Sequence, residues 1–171
     1  MKKVVYISKE DIQKKTQELG AQISRDYKGE KIIMIILLKG SFIFGADLIR
    51  EIDLDVNVEF MQVSSYVGQE SSGEVRILKD LDANIHDRHV LIVEDIIDTG
   101  LTLNKIIELL KSRNPKSIET CSLLSKPSRR IMDVEGKYIG FVIEDKFVIG
   151  YGLDVDQKYR GLPAVMEMVK D

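Results

Sequence analysis

The segment from Val90 to Leu103 constrains the fold more than any other part of the chain. Its first four residues, Val90 to Val93, form an uninterrupted aliphatic run, which is typical of a strand buried on both faces of a sheet. Two adjacent carboxylates follow, a third carboxylate opens a Thr-Gly-x-Thr turn, and an amphipathic helix begins. A strand, a glycine turn and a helix in this order favour an α/β fold with a parallel sheet.

The other apolar runs fit the same architecture. Strands are predicted at 31–38, 56–64, 74–79, 89–93 and 116–124, and helices from the N-cap Ser8 to about 27, at 42–52 and at 101–113. Beyond residue 126 the pattern shortens, with strand candidates at 138–142, 147–151 and 164–169. We therefore predict a single α/β domain with a mostly parallel central sheet flanked by helices, a core at about 8–125 and a small C-terminal hood at about 126–171.

Composition and charge narrow the classes of partner. A net charge of -3 argues against a nucleic-acid or anionic-membrane partner, and the longest apolar run, 32–38, is too short to span a bilayer. The first residues lack the apolar segment of a secretory signal, and the single Cys121 leaves no partner for an internal disulfide. We expect a cytoplasmic protein with small-molecule substrates.

The turn after the central strand has the composition of a phosphate site. In open parallel sheets, ligands bind beyond the carboxyl ends of the strands. Backbone N–H groups of residues 98–102 can converge there beside the positive end of the next helix, and Thr99 and Thr102 add hydroxyl donors. The turn contains no lysine and lacks the GxxxxGK[ST] spacing, which argues against a nucleoside triphosphatase.

Carboxylates beside a phosphate would repel it unless they have partners of their own. Glu94 and Asp95 can accept hydrogen bonds from a vicinal diol, or bind Mg²⁺, which prefers hard oxygen ligands and usually keeps several waters. A sugar phosphate with free hydroxyls would satisfy both the turn and the carboxylate pair. The structural alternative is that Asp98 only caps a helix and that the pair is only a solvated strand end.

The sequence Val-Glu-Asp-Ile-Ile-Asp-Thr-Gly, residues 93–100, resembles the motif that binds 5-phosphoribosyl-1-pyrophosphate (PRPP) in type I phosphoribosyltransferases. The variant is similar to that of the bacterial hypoxanthine/guanine enzymes, and the resemblance extends over about residues 8–165. It implies the type I phosphoribosyltransferase fold and Mg²⁺-dependent transfer of phosphoribose from PRPP to N9 of hypoxanthine or guanine. The implied PRPP contacts are Glu94, Asp95, Asp98, Thr99, Gly100, Leu101 and Thr102. Asp98 would be the general base that takes the proton from purine N7.

Three further segments extend the resemblance to a pyrophosphate site and to a lid. After Leu38, Lys39 and Gly40 would bind pyrophosphate through backbone amides, with a cis peptide bond before the lysine, and Arg160 would contact pyrophosphate directly. Ser65 and Tyr66 would begin a lid that closes over PRPP. Without the resemblance, these segments would be interpreted as an ordinary turn, a charged surface residue and a polar loop.

The resemblance also implies a purine site in the C-terminal part. Lys126 would donate to O6, which selects 6-oxopurines because the 6-amino group of adenine cannot accept from an ammonium. Phe147 would stack on the ring, and backbone groups at Val148 and near Leu153 and Asp154 would read its edge. The implied metal ligands are Glu94, Asp95 and Asp154. From the residues alone, Phe147 could equally pack in the core, and Asp154 could form a surface ion pair.

The sequence departs from the pattern of some relatives at one position, and two alternative functions remain open. Leu101 stands where some relatives have lysine, which removes one cation near the phosphate. A PRPP-sensing regulator that binds nucleic acid shares the motif, although the negative net charge argues against it. A phosphoribosyltransferase for adenine, xanthine or uracil is the other alternative, and Lys126 argues against it except for xanthine. Since family members are usually homodimers or homotetramers, we expect the same here.

Overall fold

A computed structural model describes residues 1–65 and 74–171 of the chain. The strands are β1 (Lys2–Ile7), β2 (Lys31–Leu38), β3 (Asp55–Ser65), β4 (Val75–Lys79), β5 (His89–Ile97), β6 (Ser117–Ser125), β7 (Tyr138–Val142), β8 (Val148–Ile149) and β9 (Val165–Val169). The helices are α1 (Lys9–Asp26), α2 (Phe42–Arg50) and α3 (Leu101–Lys111), with a 3₁₀ turn at Pro127–Arg129. Among the described helices, none is both long and apolar enough to cross a membrane.

A six-stranded sheet in the order β4-β3-β2-β5-β6-β7 forms the centre of the molecule. Among the described strands of this sheet, β3, β2, β5, β6 and β7 pair in parallel with one another, and β4 is antiparallel to β3. The carboxyl ends of the parallel strands therefore lie at the same edge. This arrangement confirms the predicted α/β class with a mostly parallel sheet.

Strand β2 is buried on both faces, as its continuous aliphatic sequence predicts. Side chains of alternate residues belong to two separate cores. One core contains Ile32, Met34 and Ile36 with residues of α1 and α2; the other contains Ile33, Ile35 and Leu37 with residues of α3. The helices thus cover the two faces of the sheet, and the edges at the strand ends stay open for a site.

Helices α1 and α3 begin as the sequence predicts, by two different means. Ser8 Oγ accepts a hydrogen bond from the Asp11 N–H at 3.1 Å, which caps α1. Helix α3 begins after Gly100, whose φ of +83° lies in the left-handed region that glycine accommodates at little cost. The glycine therefore permits the abrupt turn from the end of β5 into α3.

A second, antiparallel sheet in the order β1-β9-β8 brings the two ends of the chain together. The sequence analysis did not predict β1, because most of its residues are exposed and its apolar signal is weak. The strand at 138–142, which the sequence grouped with the hood, instead pairs in parallel with β6. Its Tyr138 ring is fully buried and its hydroxyl donates to Asp26 Oδ2 at 2.6 Å, which anchors β7 against α1.

Candidate active site

A cleft of about 260 Å³ lies at the carboxyl edge of the parallel strands. Seven residues predicted for the site line it: Lys39, Gly40, Glu94, Asp95, Thr102, Asp154 and Arg160. They come from three separate segments of the chain, 39–40, 94–102 and 154–160, so the fold brings together side chains up to about 120 positions apart in the sequence. Apolar residues Leu37, Leu38, Val63 and Ile106 complete the lining.

Glu94 and Asp95 are adjacent at the carboxyl end of β5, where a negative charge on one carboxylate disfavours a negative charge on the other. Burial, and then the negative charge of Asp95, raise the pKa of Glu94 well above its ordinary value. Burial also raises the pKa of Asp95, although its Oδ1 accepts from the Ile96 N–H at 2.6 Å. Burial therefore disfavours the charged forms of both carboxylates, although the positive charge of Arg160 partly offsets this effect at Asp95.

No three His, Cys, Asp or Glu side chains of residues 1–65 and 74–171 lie close enough together to hold a metal ion by themselves. The three predicted metal ligands, Glu94, Asp95 and Asp154, nevertheless face the same cleft. A cation there would need oxygens from a bound molecule or from water, which is the usual way in which Mg²⁺ is bound.

The loop after β2 packs against the carboxylate pair with no room for a side chain. The Leu38–Lys39 peptide bond is cis, as the resemblance implies. A Cβ atom added at Gly40 would lie 1.7 Å from Asp95 Oδ2. A Cβ atom at Gly152, whose φ is +100°, would lie 2.2 Å from the Gly40 carbonyl oxygen. The loop is thus enclosed between β5 and the hood.

Gln157, which the sequence analysis did not single out, joins the basic residues of the cleft. Its Oε1 accepts from Lys39 Nζ at 3.2 Å and from Arg160 Nη2 at 2.9 Å. Asp154 Oδ2 accepts from the Gln157 N–H at 2.8 Å and lies 3.3 Å from Arg160 Nη2. Asp154 and Arg160 thus form the ion pair considered from the sequence, but it lies in the lining of the cleft, where the Arg160 side chain is only 19% exposed.

The carbonyl groups of Ile97, Asp98 and Thr99, where β5 passes into the turn, accept hydrogen bonds from the segment that follows β6. Arg130 Nη1 donates to the carbonyls of Ile97 and Asp98, at 3.1 and 2.6 Å. The Ile131 and Met132 N–H groups both donate to the Thr99 carbonyl. Sequence reasoning did not identify Arg130, since nothing in the spacing shows that residue 130 returns to the turn.

Three N–H groups at the junction of the turn and α3 are left free in the described part of the chain. Thr99 Oγ1 accepts from the Leu101 N–H at 3.3 Å, and the Gly100 carbonyl accepts from the Asn104 N–H. In the described part of the chain, the N–H groups of Gly100, Thr102 and Leu103 make no hydrogen bond. These donors, together with the positive end of α3, form an anion-binding concavity.

The predicted lid residues lie at the end of β3. Ser65 Oγ is 3.4 Å from Thr102 Oγ1, so this end of β3 contacts the turn directly. Tyr66 lies outside the described residues.

Of the predicted purine-binding residues, Asp154 lines the cleft, whereas Lys126, Phe147, Val148 and Leu153 are not part of its lining. Lys126 follows β6, is almost fully buried, and places Nζ 3.6 Å from Asp145 Oδ1. Phe147 is 51% exposed, so the core-packing alternative for it is wrong. Val148 is buried in β8, and Leu153 pairs with Gly150 through reciprocal backbone hydrogen bonds.

Asp98 has a cationic neighbour that the sequence analysis did not identify. Arg129 Nε lies 2.6 Å from Asp98 Oδ1, and Arg129 Nη1 lies 3.4 Å from Asp145 Oδ2. Asp98, and then Asp145, raise the pKa of the Arg129 guanidinium. The alternative that Asp98 serves only as a helix cap fails, because the N-cap of α3 is Gly100.

The family model of the phosphoribosyl transferase domain matches residues 8–156. The chain belongs to the phosphoribosyltransferase family. The resemblance seen in residues 93–100 is thereby confirmed. The carboxylate pair and Gly100 of this phosphoribosyltransferase lie in the segment on which that resemblance was based.

Two similar relatives and one solved structure define the position of the chain within the phosphoribosyltransferases. It is 51% identical to a hypoxanthine-guanine phosphoribosyltransferase of Staphylococcus aureus, over 95% of this chain and 92% of the relative. The corresponding protein of Staphylococcus epidermidis is 52% identical with the same coverage. A hypoxanthine-guanine phosphoribosyltransferase structure from Bacillus anthracis superposes with a TM-score of 0.94 at 48% identity, covering 96% and 98% of the two chains. The type I phosphoribosyltransferase fold is therefore confirmed.

Proposed function

We propose that this phosphoribosyltransferase is a purine-salvage enzyme that transfers the 5-phosphoribosyl group of PRPP to N9 of hypoxanthine or guanine. The products would be IMP or GMP and pyrophosphate. The observation that carries the proposal is that Thr102, which belongs to the turn with free N–H groups, lines the same cleft as the carboxylates of Glu94 and Asp95. The relatives named as hypoxanthine-guanine phosphoribosyltransferases support the choice of base.

The donor PRPP would be bound by groups on both sides of the cleft. Its 5-phosphate accepts hydrogen bonds from the turn at 98–102, and its ribose hydroxyls donate to Glu94 and Asp95. Pyrophosphate lies against the backbone amides of Lys39 and Gly40 and the guanidinium of Arg160. The Arg160 guanidinium is held at the cleft because it donates hydrogen bonds to the Gly152 carbonyl and to Gln157 Oε1.

The carboxylates of the cleft fit Mg²⁺. Glu94 and Asp95 offer hard oxygens whose charged forms are disfavoured by burial, and Asp154 lines the same cleft. When bound, the ion would neutralise the departing pyrophosphate. These three residues would hold it together with oxygens of PRPP and water.

The remaining site residues would act on the ribosyl centre and on the base. Departure of pyrophosphate leaves a cationic ribosyl carbon, which Glu94 and Asp95 stabilise electrostatically. Asp98 accepts the proton of purine N7 as the bond to N9 forms. Lys126 donates to O6, and the exposed ring of Phe147 stacks on the purine.

The rest of the base site and the lid complete the proposal. Backbone groups of Val148, Leu153 and Asp154 read the purine edge, while Ser65 and Tyr66 belong to a lid that excludes water from the ribosyl carbon. The enzyme would act in the cytoplasm as a homodimer or homotetramer.

A steady-state assay of pyrophosphate release with hypoxanthine, guanine, xanthine, adenine and uracil tests the choice of base. We expect turnover with hypoxanthine or guanine that requires PRPP and Mg²⁺ and stops on addition of EDTA. Turnover with adenine or uracil alone would contradict the choice of base. PRPP binding without turnover on any of the five bases would favour the regulatory alternative.

A further inference from the structure

Four charged side chains beside the cleft form a row in which negative and positive charges alternate. Arg129 Nε is 2.6 Å from Asp98 Oδ1, and its Nη1 is 3.4 Å from Asp145 Oδ2. Asp145 Oδ1 is in turn 3.6 Å from Lys126 Nζ. Asp98 and Lys126, at the two ends of this row of charges, are the side chains proposed to contact N7 and O6 of the purine.

The contact between Arg129 and Asp98 joins side chains that are 45% and 43% exposed, but the contacting oxygen of Asp98 is itself shielded. Asp98 Oδ1 is shielded from solvent and has no aligned hydrogen bond in the described part of the chain, so the guanidinium is the polar group that faces it. The backbone of Asp98 is fixed separately, since Arg130 donates to its carbonyl at 2.6 Å. Only the orientation of the carboxylate therefore depends on Arg129.

We propose that Arg129 is a positioning residue of the base site, which holds the carboxylate of Asp98 toward purine N7 and, through Asp145, links it to Lys126. The inference rests on the proposed function. N7 and O6 lie on the same edge of a 6-oxopurine, so a bridge between the groups that contact them sets the spacing of both. A small error in the position of a catalytic group is costly to the rate.

The test compares Arg129→Gln and Arg129→Lys with Arg113→Gln as the matched control. Arg113 forms a two-pronged ion pair with Asp80, at 2.9 and 2.7 Å, remote from the cleft. The kcat and KM values for hypoxanthine and for PRPP are measured for each variant, and the same change is made in an Asp98→Asn background. Far-UV circular dichroism reports whether each variant folds.

We expect Arg129→Gln to lower kcat with hypoxanthine by about 10- to 100-fold, with no change in the KM for PRPP. Arg129→Lys should recover part of the loss because it keeps a cation beside Asp98. In the Asp98→Asn background, Arg129→Gln should have no further effect, since both changes remove the same contribution. Arg113→Gln should behave as the unmodified enzyme.

Three results would overturn the inference. An unchanged kcat in Arg129→Gln would show that Asp98 needs no such support. An equal loss with and without Asp98 would mean that Arg129 acts elsewhere. Failure of both Arg129 variants to fold would assign the residue a structural role. None of these is confused with failure of the proposed function, in which the unmodified enzyme itself would not turn over hypoxanthine.

Discussion

At the scale of single residues, Gly40 shows how closely the loop after β2 approaches the carboxylate pair. An alanine Cβ would lie 1.7 Å from Asp95 Oδ2, so Gly40→Ala must displace either the loop or the carboxylate. We expect a large loss of kcat/KM for PRPP in steady-state assays. Gly161→Ala is the matched control, because its Cβ would meet nothing within 4 Å. Equal activity of the two variants would contradict the close approach.

The role of Asp98 is tested by Asp98→Asn, which keeps the shape of the side chain and removes its ability to take a proton. We expect kcat with hypoxanthine to fall by about 10²- to 10⁴-fold. PRPP should still bind, as measured by calorimetry, because the N–H groups of the turn are unchanged. Asp80→Asn, in the remote pair with Arg113, should leave kcat as it was. Unchanged turnover in Asp98→Asn would exclude it as the base.

Individual residues differ in how far the sequence predicts them. Glu94, Asp95 and Thr102 could be identified because contiguous spacing at a strand end decides where they lie. Gln157 and Arg129 could not, because their contacts depend on how loops distant in sequence fold back onto the cleft. Local periodicity carries no information on such contacts.

At the scale of elements, the segment after β6 supports the phosphate turn through Arg130. Its guanidinium donates to two carbonyls at the end of β5 and, at 2.7 Å, to Ser125 Oγ. Arg130→Met removes all three hydrogen bonds, although the Ile97 carbonyl keeps the Lys126 N–H as a donor, and it should lower the free energy of unfolding by about 2 kcal/mol, measured by urea denaturation. The KM for PRPP should rise because the turn loses its support.

The matched control for Arg130→Met is Arg113→Met, which removes an exposed ion pair and should cost less than about 1 kcal/mol. Equal costs for the two variants would mean that Arg130 does not support the turn.

The elements themselves were predicted well where their burial is regular. Strand β2 and helix α1 agree with the prediction to within a residue or two, since a doubly buried strand and a capped amphipathic helix each leave a clear pattern. Strand β1 was missed because it is mostly exposed. The place of β7 in the parallel sheet could not be predicted, because strand pairing is decided by tertiary packing around Tyr138.

At the scale of the whole molecule, Cys121 reports on the integrity of the sheet. It lies in β6 with no exposed surface, and burial raises the pKa of its thiol, so the reactive thiolate is suppressed. We expect no reaction with Ellman's reagent at pH 8 in the folded protein and one thiol per chain in denaturant. Rapid labelling under native conditions would contradict the closed packing between β5 and β7.

The central claim is that the cleft joins phosphoribose from PRPP to a 6-oxopurine. The most direct measurement is the amount of IMP and pyrophosphate formed from PRPP and hypoxanthine with Mg²⁺, followed by chromatography. The account predicts that the two products appear in equal amounts, and that neither appears without hypoxanthine or in the presence of EDTA. Release of pyrophosphate without hypoxanthine, or no IMP at all, would contradict it.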